Sequence, residues 1–174
     1  DVATASGAPH LGLHTLRALR DGPPAPVHRG DPDRLGYIVY TSGTSGQPRA
    51  VGHAHRAIWA RQMMFRHWYG LSEADVVLHA GAFNWTYTLG TGLMDPWTVG
   101  ATTLIPEPGT KPQDLPALLA EHQATIFAAA PGVYRQMLRA EDMPDLPRLG
   151  RGLSAGEKLP ERFRRDWNAA TGTQ

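Results

Sequence analysis

From residue 35 onward, short apolar runs alternate with stretches whose apolar residues recur every three or four positions. Residues 35–40 (LGYIVY) are β-rich and end in a run of Gly, Ser and Thr, which predicts a strand followed by a loop. Residues 55–68 predict a helix stopped at Gly70. The alternation then predicts strands at 76–79, 101–105, 125–129 and 152–154, with helices at 87–97, 115–122, 132–139 and 160–170. Asp114 is placed as an N-cap, Pro131 suits a first helical turn, and Gly90 and Gly92 mark close packing. Repeated strand–helix units imply an α/β fold, a largely parallel sheet flanked by helices on both faces. In such sheets ligands bind beyond the carboxyl ends of the strands.

Residues 1–34 break this rhythm. They hold one short helical pattern at 11–20, then Gly22-Pro23-Pro24-Ala25-Pro26, a proline density that breaks helices and marks a linker. The expected organisation is therefore an irregular N-terminal segment over 1–34 and a central α/β subdomain over 35–174. The chain lacks an initiator Met and stops at Gly172-Thr173-Gln174, where another strand would begin, so the subdomain is expected to be truncated at both ends.

Composition narrows the classes. Over 174 residues, 41% hydrophobic and 19% charged describes a globular chain. A net charge of +1 gives no basis for nucleic acid or an anionic membrane as partner. The absence of cysteine excludes disulfides, thiolate metal sites and a Cys nucleophile. The most apolar region, 76–105, is interrupted by His79, Asn84 and Asp95, which argues against a membrane span. With no signal-peptide pattern, a cytoplasmic location is the expectation. His53 and His55, or His10 and His14, have a spacing that suits a metal, but no third ligand accompanies them, so no metal site is assigned to protein side chains. The serines lack a G-x-S-x-G context, so a hydrolase triad has no support.

The sharpest motif is Tyr40-Thr41-Ser42-Gly43-Thr44-Ser45-Gly46-Gln47-Pro48-Arg49. Gly43 and Gly46 let the backbone approach a ligand, and successive N–H groups with the hydroxyls of Thr41, Ser42, Thr44 and Ser45 suit an anion. Arg49 adds fixed positive charge. Composition alone also suits a solvent-exposed turn, and the string is not a Walker A loop. As a whole it resembles the signature loop of the adenylate-forming (AMP-binding) superfamily, Y-T-S-G-[ST]-[TS]-G-x-P-K-G-V. It departs in two places, with Arg49 for the usual Lys and Ala50 for the usual Gly. Arg keeps the charge but presents a planar fork instead of a point ammonium.

Three further stretches agree. Trp85 with 93–101 (LMDPWTVGA) is similar to the acid-pocket segment of acyl-CoA synthetases and benzoate-type CoA ligases. Ala130-Pro131-Gly132-Val133-Tyr134 resembles the family's strand-to-helix turn, and Ser154-Ala155-Gly156-Glu157-Lys158-Leu159-Pro160 resembles S-A-G-E-x-L-P. The resemblance implies that Thr41, Ser42, Gly43, Thr44, Ser45, Gly46 and Arg49 hold the phosphates of ATP. It implies that Gly156, Glu157 and Lys158 lie against the adenine and that Trp85 lines the acid pocket. A core role competes for the aromatics and is the expectation for Trp97.

The function so implied is part of an ATP-dependent acid–CoA ligase, which activates an acyl or aryl acid as its adenylate and transfers it to CoA. ATP/AMP, Mg²⁺ and CoA are the implied cofactor and co-substrates. The family's Y-G-x-T-E motif and its adenylation Lys are not in the chain, so catalytic residues are unassigned and little ligase activity is expected of the 174 residues alone. Two alternatives stay open. One is an adenylation domain loading an amino acid onto a carrier protein; the other is a non-catalytic nucleotide-binding module, encouraged by Arg49.

Overall fold

The computed structural model describes residues 7, 11–42, 46–140 and 143–173. The chain separates into two units, 1–31 and 32–174. In the first, Leu13–Leu19 forms a helix (α1) with no buried residue.

In the second unit the expected strand is β1 (Leu35–Ser42), but the segment after it departs from the expectation. Pro48–Ala54, expected to lie in the loop leading to a helix, forms strand β2. It pairs antiparallel with β1, Tyr40 opposite Ala50 and Thr41 opposite Arg49. The strand had no periodic signal because its first five residues are all exposed, so burial never selected an apolar alternation. The helix expected at 55–68 is segmented into α2 (Arg56–Ala60), α3 (Gln62–Met64) and a π turn (Phe65–Tyr69), closed by Gly70 in the left-handed region.

The remaining strands form one parallel sheet. β3 (Val76–His79), β4 (Thr102–Leu104), β5 (Ile126–Ala129) and β6 (Arg151–Ser154) are arranged in the order β4-β3-β5-β6. Between β3 and β4 lie α4 (Thr86–Leu89), a second π turn (Gly90–Met94) and α5 (Asp95–Val99). A 3₁₀ turn (Pro112–Asp114) leads into α6 (Leu115–Glu121), α7 (Pro131–Met137) links β5 to β6, and α8 is Glu161–Thr171.

Both faces of the sheet are buried, as parallel sheets require. Along β5 the side chains alternate between two cores. Phe127 and Ala129 join Leu115, Leu119, Tyr134, Met137 and Trp167 on the face covered by α6, α7 and α8. Ile126 and Ala128 join Phe65, Tyr69, Leu71 and Leu153 on the other. Phe127 is fully buried against the rings of Tyr134 and Trp167, at 5.1 and 5.7 Å. Trp97, expected in the core, is instead 64% exposed. It lies on α5, whose buried positions are Asp95 and Pro96, so the helix turns its polar-looking side inward.

Candidate active site at the carboxyl edge of the sheet

The chain leaves β3 toward β4 on one side and leaves β5 toward β6 on the other. Connections that diverge in this way open a crevice beyond the carboxyl ends of the two central strands. The loop after β3 carries Trp85, and the loop after β6 carries Gly156. These two meet: a Cβ built on Gly156 would lie 3.0 Å from the indole Cη2 of Trp85. Gly156 has φ +100°, so both its backbone conformation and the indole exclude a side chain.

From Trp85, which is 37% exposed, aromatic rings step inward. Tyr87 meets Trp85 edge-on at 5.3 Å, and His79 meets Tyr87 edge-on at 4.5 Å. His79 ends β3 at 1% exposure, and neither ring nitrogen has a hydrogen-bond partner among the described residues. Burial lowers its pKa to about 4, so the imidazole is neutral at pH 7. Burial also raises the Tyr87 phenol above its ordinary value. Gly92 makes this possible, since a Cβ there would come within 2.6 Å of the His79 Cβ. Beside His79, a cavity of about 600 Å³ opens at the ends of β3 and β4, walled by Gly81, Phe83, Ile105, Glu107, Leu115 and Val133.

The other motif residues lie elsewhere. Thr41 and Arg49 are a cross-strand pair on the β1–β2 hairpin, exposed to solvent, with Gly46 at φ +77°. Gly43, Thr44 and Ser45 lie outside the described residues. Glu157 and Lys158 are exposed and border a small recess of about 90 Å³ with Pro131, Gly132, Arg135 and Phe163. The structure thus brings Trp85 to Gly156. Among the described residues, no group of three or more His, Asp or Glu side chains is arranged to hold a metal. His53, one member of the expected pairs, stacks on Tyr37 at 4.6 Å.

A charged pair joins the helices behind the site. Arg61 donates from Nε and from one terminal nitrogen to both oxygens of Asp95, each at 2.6 Å, and the Tyr69 hydroxyl donates to the same carboxylate. Asp95 is fully buried. The hydrogen bonds that Arg61 donates to Asp95 raise the Arg61 pKa, and burial raises that of Tyr69. The phenol of Tyr37 on β1 is raised mainly by burial and senses both charges, so the hairpin, the junction of α2 and α3, and α5 converge here. Sequence reasoning missed His79, Tyr87, Arg61 and Asp95 as a group. A signal was present for two of them: a histidine and an aspartate interrupt the most apolar segment, and buried polar groups persist there only with a partner or a task.

Comparison with known proteins decides the family. A model described as AMP-binding enzyme matches residues 3–174. The chain belongs to the AMP-binding enzyme family. It is 31% identical over 95% of its length to the 3-hydroxybenzoate–CoA/4-hydroxybenzoate–CoA ligase of Thauera aromatica, of which it covers 32%. It is 36% identical over 81% of its length to the benzoate–CoA ligase of the same organism, covering 27% of it. Among solved structures, the anthranilate CoA ligase AuaEII in complex with anthranoyl-AMP superposes with a TM-score of 0.82 at 28% identity, over 96% of this chain and 33% of that one. A benzoate CoA ligase from Burkholderia xenovorans LB400 gives 0.78 at 27% identity, over 91% of this chain and 32% of that one. The AMP-binding chain therefore spans about a third of the length of these relatives. No helix among its described residues is long and apolar enough to cross a membrane.

Proposed function

We propose that the chain forms part of an acid–CoA ligase. The acid's carboxylate oxygen attacks the α-phosphorus of ATP and the bond to the β-phosphate breaks, giving an acyl-adenylate and pyrophosphate. The thiol of CoA then attacks the acyl carbon, releasing AMP and a proton. A carboxylate repels nucleophiles, so replacing its charged oxygen by a phosphate leaving group makes the second step accessible. The protein's part is alignment and preorganised charge.

The observation that carries this reading is the contact between Trp85 and Gly156 at the switch point. It joins the residue expected to line the acid pocket to the residue expected under the adenine, from loops 71 positions apart in the chain. The two halves of an acyl-adenylate would then be held side by side. Glu157 and Lys158 would flank the base. Thr41, Ser42, Gly43, Thr44, Ser45 and Gly46 would hold the β- and γ-phosphates, with Arg49 supplying charge. The described residues offer Mg²⁺ no ligand cluster of their own. Mg²⁺ bound to the nucleotide's phosphates would neutralise part of their charge.

ATP–pyrophosphate exchange, measured with the enzyme containing this chain and a panel of simple carboxylic acids and amino acids, tests the reading. Exchange with simple acids, followed by thioester on adding CoA, is expected. Exchange with amino acids alone would replace it by a carrier-loading adenylation domain.

A further inference from the structure

Asp95 is the meeting point of a buried polar network. Its two carboxylate oxygens accept from Nε and a terminal nitrogen of Arg61, each at 2.6 Å, and one of them also accepts from the Tyr69 hydroxyl. The Tyr69 carbonyl in turn accepts from the guanidinium of Arg151. Asp95 and Tyr69 are fully buried, and the Arg61 side chain is 19% exposed. Both π turns meet at this carboxylate: Tyr69 closes the first, and Asp95 directly follows the second. A Cβ on Gly90 would strike the Arg61 guanidinium, so the second turn is cut back to admit it. Single π turns inside helices concentrate at functional sites.

The network draws its members from the segments that carry the three parts of the candidate site. Arg61 stands at the break between α2 and α3, and α2 directly follows the hairpin of Thr41 and Arg49. That helix packs on both β2 and α5. Asp95 begins α5, on the same run of helix and π turn that starts after Trp85. Arg151 begins β6, whose far end leads into Gly156.

Stability alone does not call for an ion pair here. Desolvating two charges cancels most of their attraction, and well-packed apolar residues of similar volume stabilise as well or better. A bidentate pair supplies what apolar packing does not, a fixed distance and angle between the elements it joins. Adenylate formation depends on such alignment, since the acid's oxygen must meet the α-phosphorus, and a misplacement of about 1 Å can cost on the order of a hundredfold in rate.

Resting on the ligase reading, we propose that Arg61 and Asp95 are positioning residues for adenylate formation, their ion pair setting the phosphate hairpin against the loop of Trp85. Tyr69 and Arg151 extend the same network to the strand that carries Gly156. The pair acts through the segments it joins. Once pyrophosphate has left, register with the hairpin no longer matters, so the pair bears on the first half-reaction and not on thioester formation.

The test separates the two half-reactions in the enzyme containing this chain, with benzoate, 3-hydroxybenzoate and 4-hydroxybenzoate as probe acids. Adenylation is read as ATP–pyrophosphate exchange without CoA. The second step is read as thioester formed from CoA and the acyl-adenylate supplied ready-made. Arg61→Lys keeps the charge but loses the fork, and Arg61→Met combined with Asp95→Leu replaces the pair by apolar side chains compatible with the fold. Each should lower kcat for exchange by about tenfold or more while reducing thioester formation by less than about threefold. Tyr69→Phe, which leaves the pair intact, should give a smaller loss with the same selectivity. A packing role alone would reduce both steps by one factor, which overturns the proposal, as would variants that exchange as fast as wild type. A wild-type enzyme that exchanges with none of the acids would instead overturn the ligase reading, and this proposal with it.

Discussion

The β1–β2 hairpin and the carboxyl edge of the parallel sheet share one chain but are held in opposite ways. The hairpin is a two-stranded ladder with most side chains in solvent; Ile38, Tyr40 and Val51 are exposed and Val39 is its buried apolar residue. It is fixed by backbone pairing and by the Tyr37–His53 stack. At the sheet's edge, by contrast, His79, Thr88 and Asp95 are almost fully buried within an apolar frame. The difference teaches where each kind of chemistry can sit. An exposed hairpin keeps its donors open to a charged ligand, whereas in the dry interior an unmatched polar group is costly.

The largest expected effect separates the regions by stability. Asp95→Ala strands the Arg61 guanidinium and the Tyr69 hydroxyl in a buried setting and should cost about 3–5 kcal/mol, as breaking a buried pair does. Urea denaturation of the chain measures it; a loss below about 1 kcal/mol would show the pair to be hydrated and marginal.

Next comes pH. His79 has a folded pKa of about 4, below the unfolded value of about 6.5. The unfolded chain therefore binds a proton that the folded chain refuses. Stability falls as pH drops from about 6.5 toward 4 and is unaffected by this group outside that window, with a total of roughly 3 kcal/mol. Carboxylates titrate at the lower end, so the measured quantity is the difference between wild type and His79→Asn across the window. Parallel curves would remove His79 as the source.

The smallest stability effect belongs to the hairpin. Arg49→Ala, on an exposed strand, should change stability by less than about 0.5 kcal/mol. In the enzyme containing this chain it should still raise the KM for ATP or lower turnover in pyrophosphate exchange. Kinetics equal to wild type would remove Arg49 from the phosphate site.

Much of the fold was legible before the structure. β3 and β5 are short, largely apolar runs, and β5 is buried at all four positions, so its letters alone carry the strand signal. The hairpin's second strand was not legible, because Pro48–Ala54 is exposed over most of its length and no hydrophobic period marks it. The π turns were equally hidden. One places Gly90 where a Cβ would strike the Arg61 guanidinium, and a contact 29 residues away leaves no local pattern.

The candidate site divides along the same line. The Gly/Ser/Thr string, Trp85 and the Gly156 turn stood out because each is a contiguous run whose residue types carry chemistry at a fixed spacing. Nothing in the sequence placed Trp85 on Gly156 or packed His79 and Thr88 together behind Gly81. Those relations depend on strand order: β3 and β6 flank β5, and the loops that leave them converge over its end. The sequence by itself determined the strands of the parallel sheet and most of the helices between them, and which short runs suit phosphate or base, since both depend on neighbours along the chain. Tertiary structure alone decided which polar groups are buried without partners, because burial is a property of what other segments cover.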